Sequence, residues 1–124
     1  MARARILLCE DHDALRAIAV RVLTADGHEV VGVASVSAAI ERLSAEPFDA
    51  LVLDLHLGDE SGLAVLDGAP VRPPVLLVCG DFDPRDSESD AARYRVEATL
   101  AKPFDADEVC DAVRSLLDGA TPRR

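Results

Sequence analysis

Asp49-Ala50-Leu51-Val52-Leu53-Asp54 is the stretch that decides the fold. Four apolar residues run without interruption into a carboxylate, so both faces of the segment are expected to be covered. That pattern belongs to a strand inside a parallel sheet rather than to a half-solvated antiparallel one. Two other stretches repeat it: Ile6-Leu7-Leu8-Cys9 runs into Glu10-Asp11, and Ala98-Thr99-Leu100-Ala101 runs into Lys102. If these strands are parallel, their C-terminal ends gather three carboxylates and one ammonium at a single edge, where open α/β sheets keep their chemistry. Crowded carboxylates repel, and their pKa rises unless a cation relieves them. An oxygen-only donor set suits a hard cation, with Mg2+ the natural occupant.

Outward from these strands the chain alternates. Helical spacing predicts a helix over Asp13–Asp26, with Leu15, Ile18, Ala19, Val22 and Leu23 on one face and Gly27 closing it. Val30–Ala34 reads as a strand weakened by Gly32, and Ser37–Ala45 as a helix stopped by Pro47. Gly62–Leu66 begins a short third helix, with Gly68, Pro70, Pro73 and Pro74 crowding its end. Val75–Cys79 is a further strand. Asp81–Asp90 reads as an acidic loop that can start a weak fourth helix ending near Tyr94 or Arg95. Asp105 and Glu108 form a capping box for a last helix with Val109, Ala112, Val113, Leu116 and Leu117 inward. Five strand–helix units joined by right-handed crossovers predict a doubly wound, five-stranded parallel sheet, (βα)5. One domain is expected over residues 1–124, with its core at 5–118.

Composition narrows the function. The net charge of −10, from 23 acids against 13 bases, disfavours nucleic acid, whose binding rests on phosphate neutralisation. A protein partner is expected instead. No stretch reads as a secretory leader or a membrane span, so a cytoplasmic, membrane-free protein is expected. Cys9, Cys79 and Cys110 are odd in number and widely spaced, which fits buried reduced thiols better than disulfides.

Taken together, Glu10-Asp11, the segment Asp49–Leu57 with Gly62-Leu63, and Lys102-Pro103-Phe104 resemble the receiver domain of two-component response regulators. Each fragment is common alone; all three in order on the expected elements are specific. The resemblance covers Ile6 to about Leu117 and implies a flavodoxin-like fold and a phosphoacceptor at Asp54. It implies that Asp11 binds Mg2+ directly, Glu10 largely through water, and the His56 backbone carbonyl completes the protein's share. Lys102 would pair with Asp54 and then with the phosphoryl oxygens, its bond to Pro103 being cis. A histidine kinase or histidine phosphotransfer protein would supply the phosphoryl group. A stand-alone receiver would then dock an output partner or relay phosphate, and would be no enzyme beyond its own phosphorylation and dephosphorylation.

Four positions depart from that family. Cys79 stands where a Ser or Thr hydroxyl bonds the phosphoryl group, and a thiol donates poorly. Thr99 stands where the family carries its switch aromatic. Gly58 replaces a proline, and the third and fourth helices are short or poorly started. A degenerate receiver that docks without phosphate is therefore the competing expectation. Other signals read more simply. Cys79 suits a small core residue, and His12 and His56 suggest neither a transition metal nor a phosphohistidine. The acids of 81–90 lack the glycine and terminal Glu of a calcium loop. Asp54-Leu55-His56-Leu57-Gly58 is similar to the Asp-x-His-x-x-Gly loop of cobalamin-binding domains, but Asp59 occupies the place where that loop needs its glycine.

Overall fold

The computed structural model describes residues 4–80 and 92–119. Its centre is a five-stranded parallel sheet of β1 (Arg5–Cys9), β2 (Glu29–Val33), β3 (Ala50–Asp54), β6 (Val75–Cys79) and β7 (Ala98–Ala101). The spatial order is β2-β1-β3-β6-β7. The order reverses between β1 and β3, so the crevice beyond their carboxyl ends is the place for a ligand. In register, Cys9 lies beside Leu53, and Asp54 beside Val78.

The uninterrupted apolar strands are covered on both faces. Leu7, Cys9, Leu51, Leu53, Val75 and Leu77 point to one side and pack with α2 (Val36–Ala45) and α3 (Leu63–Gly68). Ile6, Leu8, Ala50, Val52, Leu76 and Val78 point to the other and pack with α1 (Asp13–Ala25) and the C-terminal helix (Ala106–Leu117). This period-two division is what a doubly covered strand requires.

The helices follow their local signals. Ser35 caps α2 by accepting from the Ala38 N–H at 3.2 Å. Asp105 and Glu108 cap the C-terminal helix reciprocally, as the spacing predicts. Residues 92–94 are helical and end at Arg95, whose φ is +56°. The expected acidic loop and the start of the fourth helix lie outside the described residues.

Two expectations need correction. Between β3 and α3 the chain adds a small antiparallel hairpin, β4 (His56–Leu57) with β5 (Glu60–Ser61), which two-residue strands cannot announce by periodicity. The apolar stripe of α1 is also wider than its buried face. Ala19 and Leu23 are buried, but Leu15 is 43% and Ile18 57% exposed. The N-terminal half of the stripe thus looks outward, beside the carboxyl edge of the sheet.

Candidate functional site

Asp54 is the last residue of β3, so the strand that buries Leu51 and Leu53 also drives its carboxylate to 5% exposure. Such a group needs partners, since a buried charge left alone is costly. Its Oδ1 accepts the His56 backbone N–H at 3.0 Å, and Oδ2 accepts Lys102 Nζ at 2.7 Å. The approach of α3 beneath it depends on a glycine. A Cβ on Gly62 would sit 1.9 Å from the Asp54 carbonyl oxygen.

Glu10 follows β1 and is 8% exposed. Its Oε1 accepts Lys102 Nζ at 3.0 Å and its Oε2 the His12 N–H at 3.0 Å. Arg16 braces the same loop, donating to the Glu10 carbonyl oxygen at 3.0 Å and to Asp13 at 2.7 Å. Burial pushes the Glu10 carboxyl above the usual range. The His12 N–H and Lys102 pull it back, and the Asp54 charge adds to the rise. Asp11 is exposed, and its Oδ2 accepts the Gly58 N–H at 3.0 Å.

Lys102 closes the arrangement from β7. Its backbone N–H donates to the Cys79 carbonyl at 2.7 Å, fixing the chain beyond the strand, and the Lys102-Pro103 bond is cis as expected. Burial alone would lower the ammonium's pKa; hydrogen bonds to Asp54 and Glu10, with their charges, outweigh it and raise the value. One ammonium thus serves two carboxylates, where the sequence suggested a partner in Asp54 alone.

Each of Glu10, Asp11 and Asp54 offers a carboxylate oxygen within 4.8 Å of the others. Three such groups against one ammonium leave an excess of negative charge, and at Glu10 the Asp54 charge adds to the rise that burial causes. The donor set is oxygen only, which fits a hard divalent cation. The acids line a cleft of about 530 Å3 with His12, His56, Gly80 and Lys102. A second cleft of about 500 Å3 runs from Glu10, Asp54 and Lys102 between α1 and the C-terminal helix, past Leu15, Ile18 and Phe104.

The remaining positions separate from this group. Cys79 is 5% exposed and belongs to the core on the α2–α3 side, its Sγ 4.0 Å from the Leu77 carbonyl oxygen. Gly80, not Cys79, lines the acid cleft. Thr99 is exposed on β7, in register with Leu77. Sequence reasoning missed the Gly58 N–H, the close approach at Gly62 and the Arg16 brace. Gly58-Asp59 between extended residues was the readable signal for the first; backbone approach and long-range bracing leave none.

Comparison with known proteins bears on the fold and the family. The family model for the response regulator receiver domain matches residues 6–114. The sensory/regulatory protein RpfC of Xanthomonas campestris is 31% identical over 122 residues, spanning 90% of the chain and 16% of RpfC. The transcriptional regulatory protein TcrA of Mycobacterium tuberculosis is 34% identical over 125 residues, 96% of the chain and 48% of TcrA. The chain therefore spans less than half the length of either curated relative. In fold, it is similar to a CheY-like response regulator receiver domain protein from Methanospirillum hungatei. The TM-score is 0.85 at 22% identity, covering 94% of this chain and 95% of that one.

Proposed function

The chain belongs to the response regulator receiver family, and from that premise we propose that Asp54 accepts a phosphoryl group in a Mg2+-dependent reaction. The observation that carries the reading is Lys102 Nζ, 2.7 Å from Asp54 and 3.0 Å from Glu10, inside three clustered carboxylates. Phosphoryl transfer asks for positioning and charge neutralisation more than covalent help. An Asp54 oxygen bonds to phosphorus as the P–N bond of a phosphohistidine breaks, and the electron pair leaves with the imidazole. The His56 N–H and Lys102 hold the two Asp54 oxygens before transfer, and Lys102 then faces the new phosphoryl oxygens. Glu10, Asp11, Asp54 and the His56 carbonyl would hold Mg2+, which when bound supplies charge neutralisation at the transferring group.

The donor in this reading is a histidine kinase or histidine phosphotransfer protein. Exposed Leu15 and Ile18, with Phe104 along the adjoining cleft, give such a partner an apolar foothold beside Asp54. The chain acts on no external substrate, catalysing only its own phosphorylation and dephosphorylation. It signals by docking an output partner or by relaying phosphate, in the cytoplasm, where its three free, buried cysteines stay reduced.

A phosphate-independent docking module is the second reading, favoured by Cys79 in the core and Thr99 at the surface. Intact mass after incubation with acetyl phosphate and Mg2+ distinguishes the two. One phosphoryl adduct on wild type and none on Asp54→Asn is expected. No adduct on wild type would leave the docking module standing, and an equal adduct on the variant would move the acceptor elsewhere.

A further inference from the structure

The geometry points to Gly58 as a positioning residue for Asp11, acting through its backbone N–H. This rests on the reading of the acid cluster as a cation site. In the hairpin, His56 pairs with Ser61 and Leu57 with Glu60, leaving Gly58-Asp59 as a two-residue turn. Gly58 has φ +63° whereas Asp59 is not left-handed. A tight hairpin with only its first central residue left-handed is the form that calls for glycine there. That corner turns the Gly58 N–H onto Asp11 Oδ2 at 3.0 Å, across 47 residues of sequence.

The hairpin is anchored well enough to hold a carboxylate. Leu57 is 3% exposed, the Gly62 N–H donates to the Leu55 carbonyl at 2.6 Å, and the His56 N–H donates to Asp54 at 3.0 Å. One bracket thus grips both Asp54 and Asp11. Asp11 is exposed, and an exposed carboxylate samples several rotamers unless a hydrogen bond selects one. Gly58 selects it by engaging Oδ2, which leaves Oδ1 for a cation. The ordering cost is met before the ion arrives, and outer hydrogen bonds of this kind tune metal affinity.

The test is a calorimetric Mg2+ titration of the full chain as wild type, Gly58→Asn and Gly58→Val, with metal-free melting beside it. Valine is β-branched and cannot hold a positive φ, so the corner must turn its N–H away from Asp11, whereas asparagine tolerates that region. Gly58→Val should bind Mg2+ about tenfold more weakly, the low end for lost outer partners. Gly58→Asn should bind as wild type does, and the affinity difference between the variants should exceed any difference in melting. Should Gly58→Val not fold, Asp11→Ala replaces it: in the metal-free protein the Gly58 amide should lose exchange protection and move upfield. Equal Mg2+ affinity in all three proteins, or a Gly58 amide indifferent to Asp11→Ala, overturns the proposal alone. Wild type that binds no Mg2+ overturns it together with the cation site.

Discussion

Helix α1 runs between two ion clusters, and they behave in opposite ways. Beyond its C-terminus Asp26 meets Arg114 of the C-terminal helix, with Nε at 3.0 Å and a second, shorter bond from the other guanidinium arm. The Arg114 hydrogen bond holds the Asp26 carboxyl below its usual range, burial opposing. Before its N-terminus, Glu10 meets Lys102, yet the Glu10 pKa goes up. The difference is burial. The exposed Arg114 guanidinium is shared between Asp26 and the exposed Asp111, where water screens the charges; the Lys102 ammonium is shared between two buried carboxylates, with Asp11 at their side. The lower cluster is eased by solvent, and the upper one has little solvent to ease it. Functional sites often hold local conflict of this sort that the rest of the fold absorbs.

Removing the ammonium should break that balance most sharply. Lys102→Met leaves Glu10 and Asp54 buried without a cation, and breaking a buried pair is costly. Lys102 is one quarter exposed, so solvent screening should hold the loss to about 2–3 kcal/mol in urea unfolding of the metal-free protein at pH 7. A loss no larger than that of Arg114→Met would erase the contrast between the two ends.

Glycines at the two ends sharpen it next. Gly62→Ala drives a Cβ into the Asp54 backbone and should cost about 1–3 kcal/mol, as overpacking does. Phosphoryl uptake should fall with it. Gly27, with φ +100° and open space around it, should cost about 1 kcal/mol as alanine through backbone strain alone. Its phosphorylation rate should not change. Rates that fall equally in both variants would mean that global stability, not Asp54 placement, governs the reaction.

The smallest effect is the pH response of the lower cluster. Asp26 has a depressed folded pKa, so its contribution is present above the unfolded value, near 3.8, and is lost as pH falls through the folded one. Asp26→Asn should therefore be less stable than wild type at pH 7 and converge with it in acid. A constant gap across that range would assign the effect to packing.

The sheet and most of the acid edge were legible because unbroken apolar strands end in charges, and a doubly covered strand leaves no choice of face. Less legible features depend on contacts between distant residues. The pattern of α1 could not reveal that the sheet covers Ala19 and Leu23 but leaves Leu15 and Ile18 outside. Cys79 was readable as the last residue of its strand, but not as facing the α2–α3 core. Gly58 was noticed as a missing proline, whereas its role as a donor to Asp11 appears only once β1 and β3 lie side by side.

Melting wild type and Asp11→Ala across a Mg2+ series at pH 7 shows whether the upper cluster is poised for a cation. A ligand selective for the folded state at ten times its Kd adds about 1.4 kcal/mol. Wild type should gain stability of that size and Asp11→Ala none, and metal-free Asp11→Ala should be at least as stable as metal-free wild type. A wild-type melting curve indifferent to Mg2+, or an equal rise in the variant, would contradict a cluster poised for a cation.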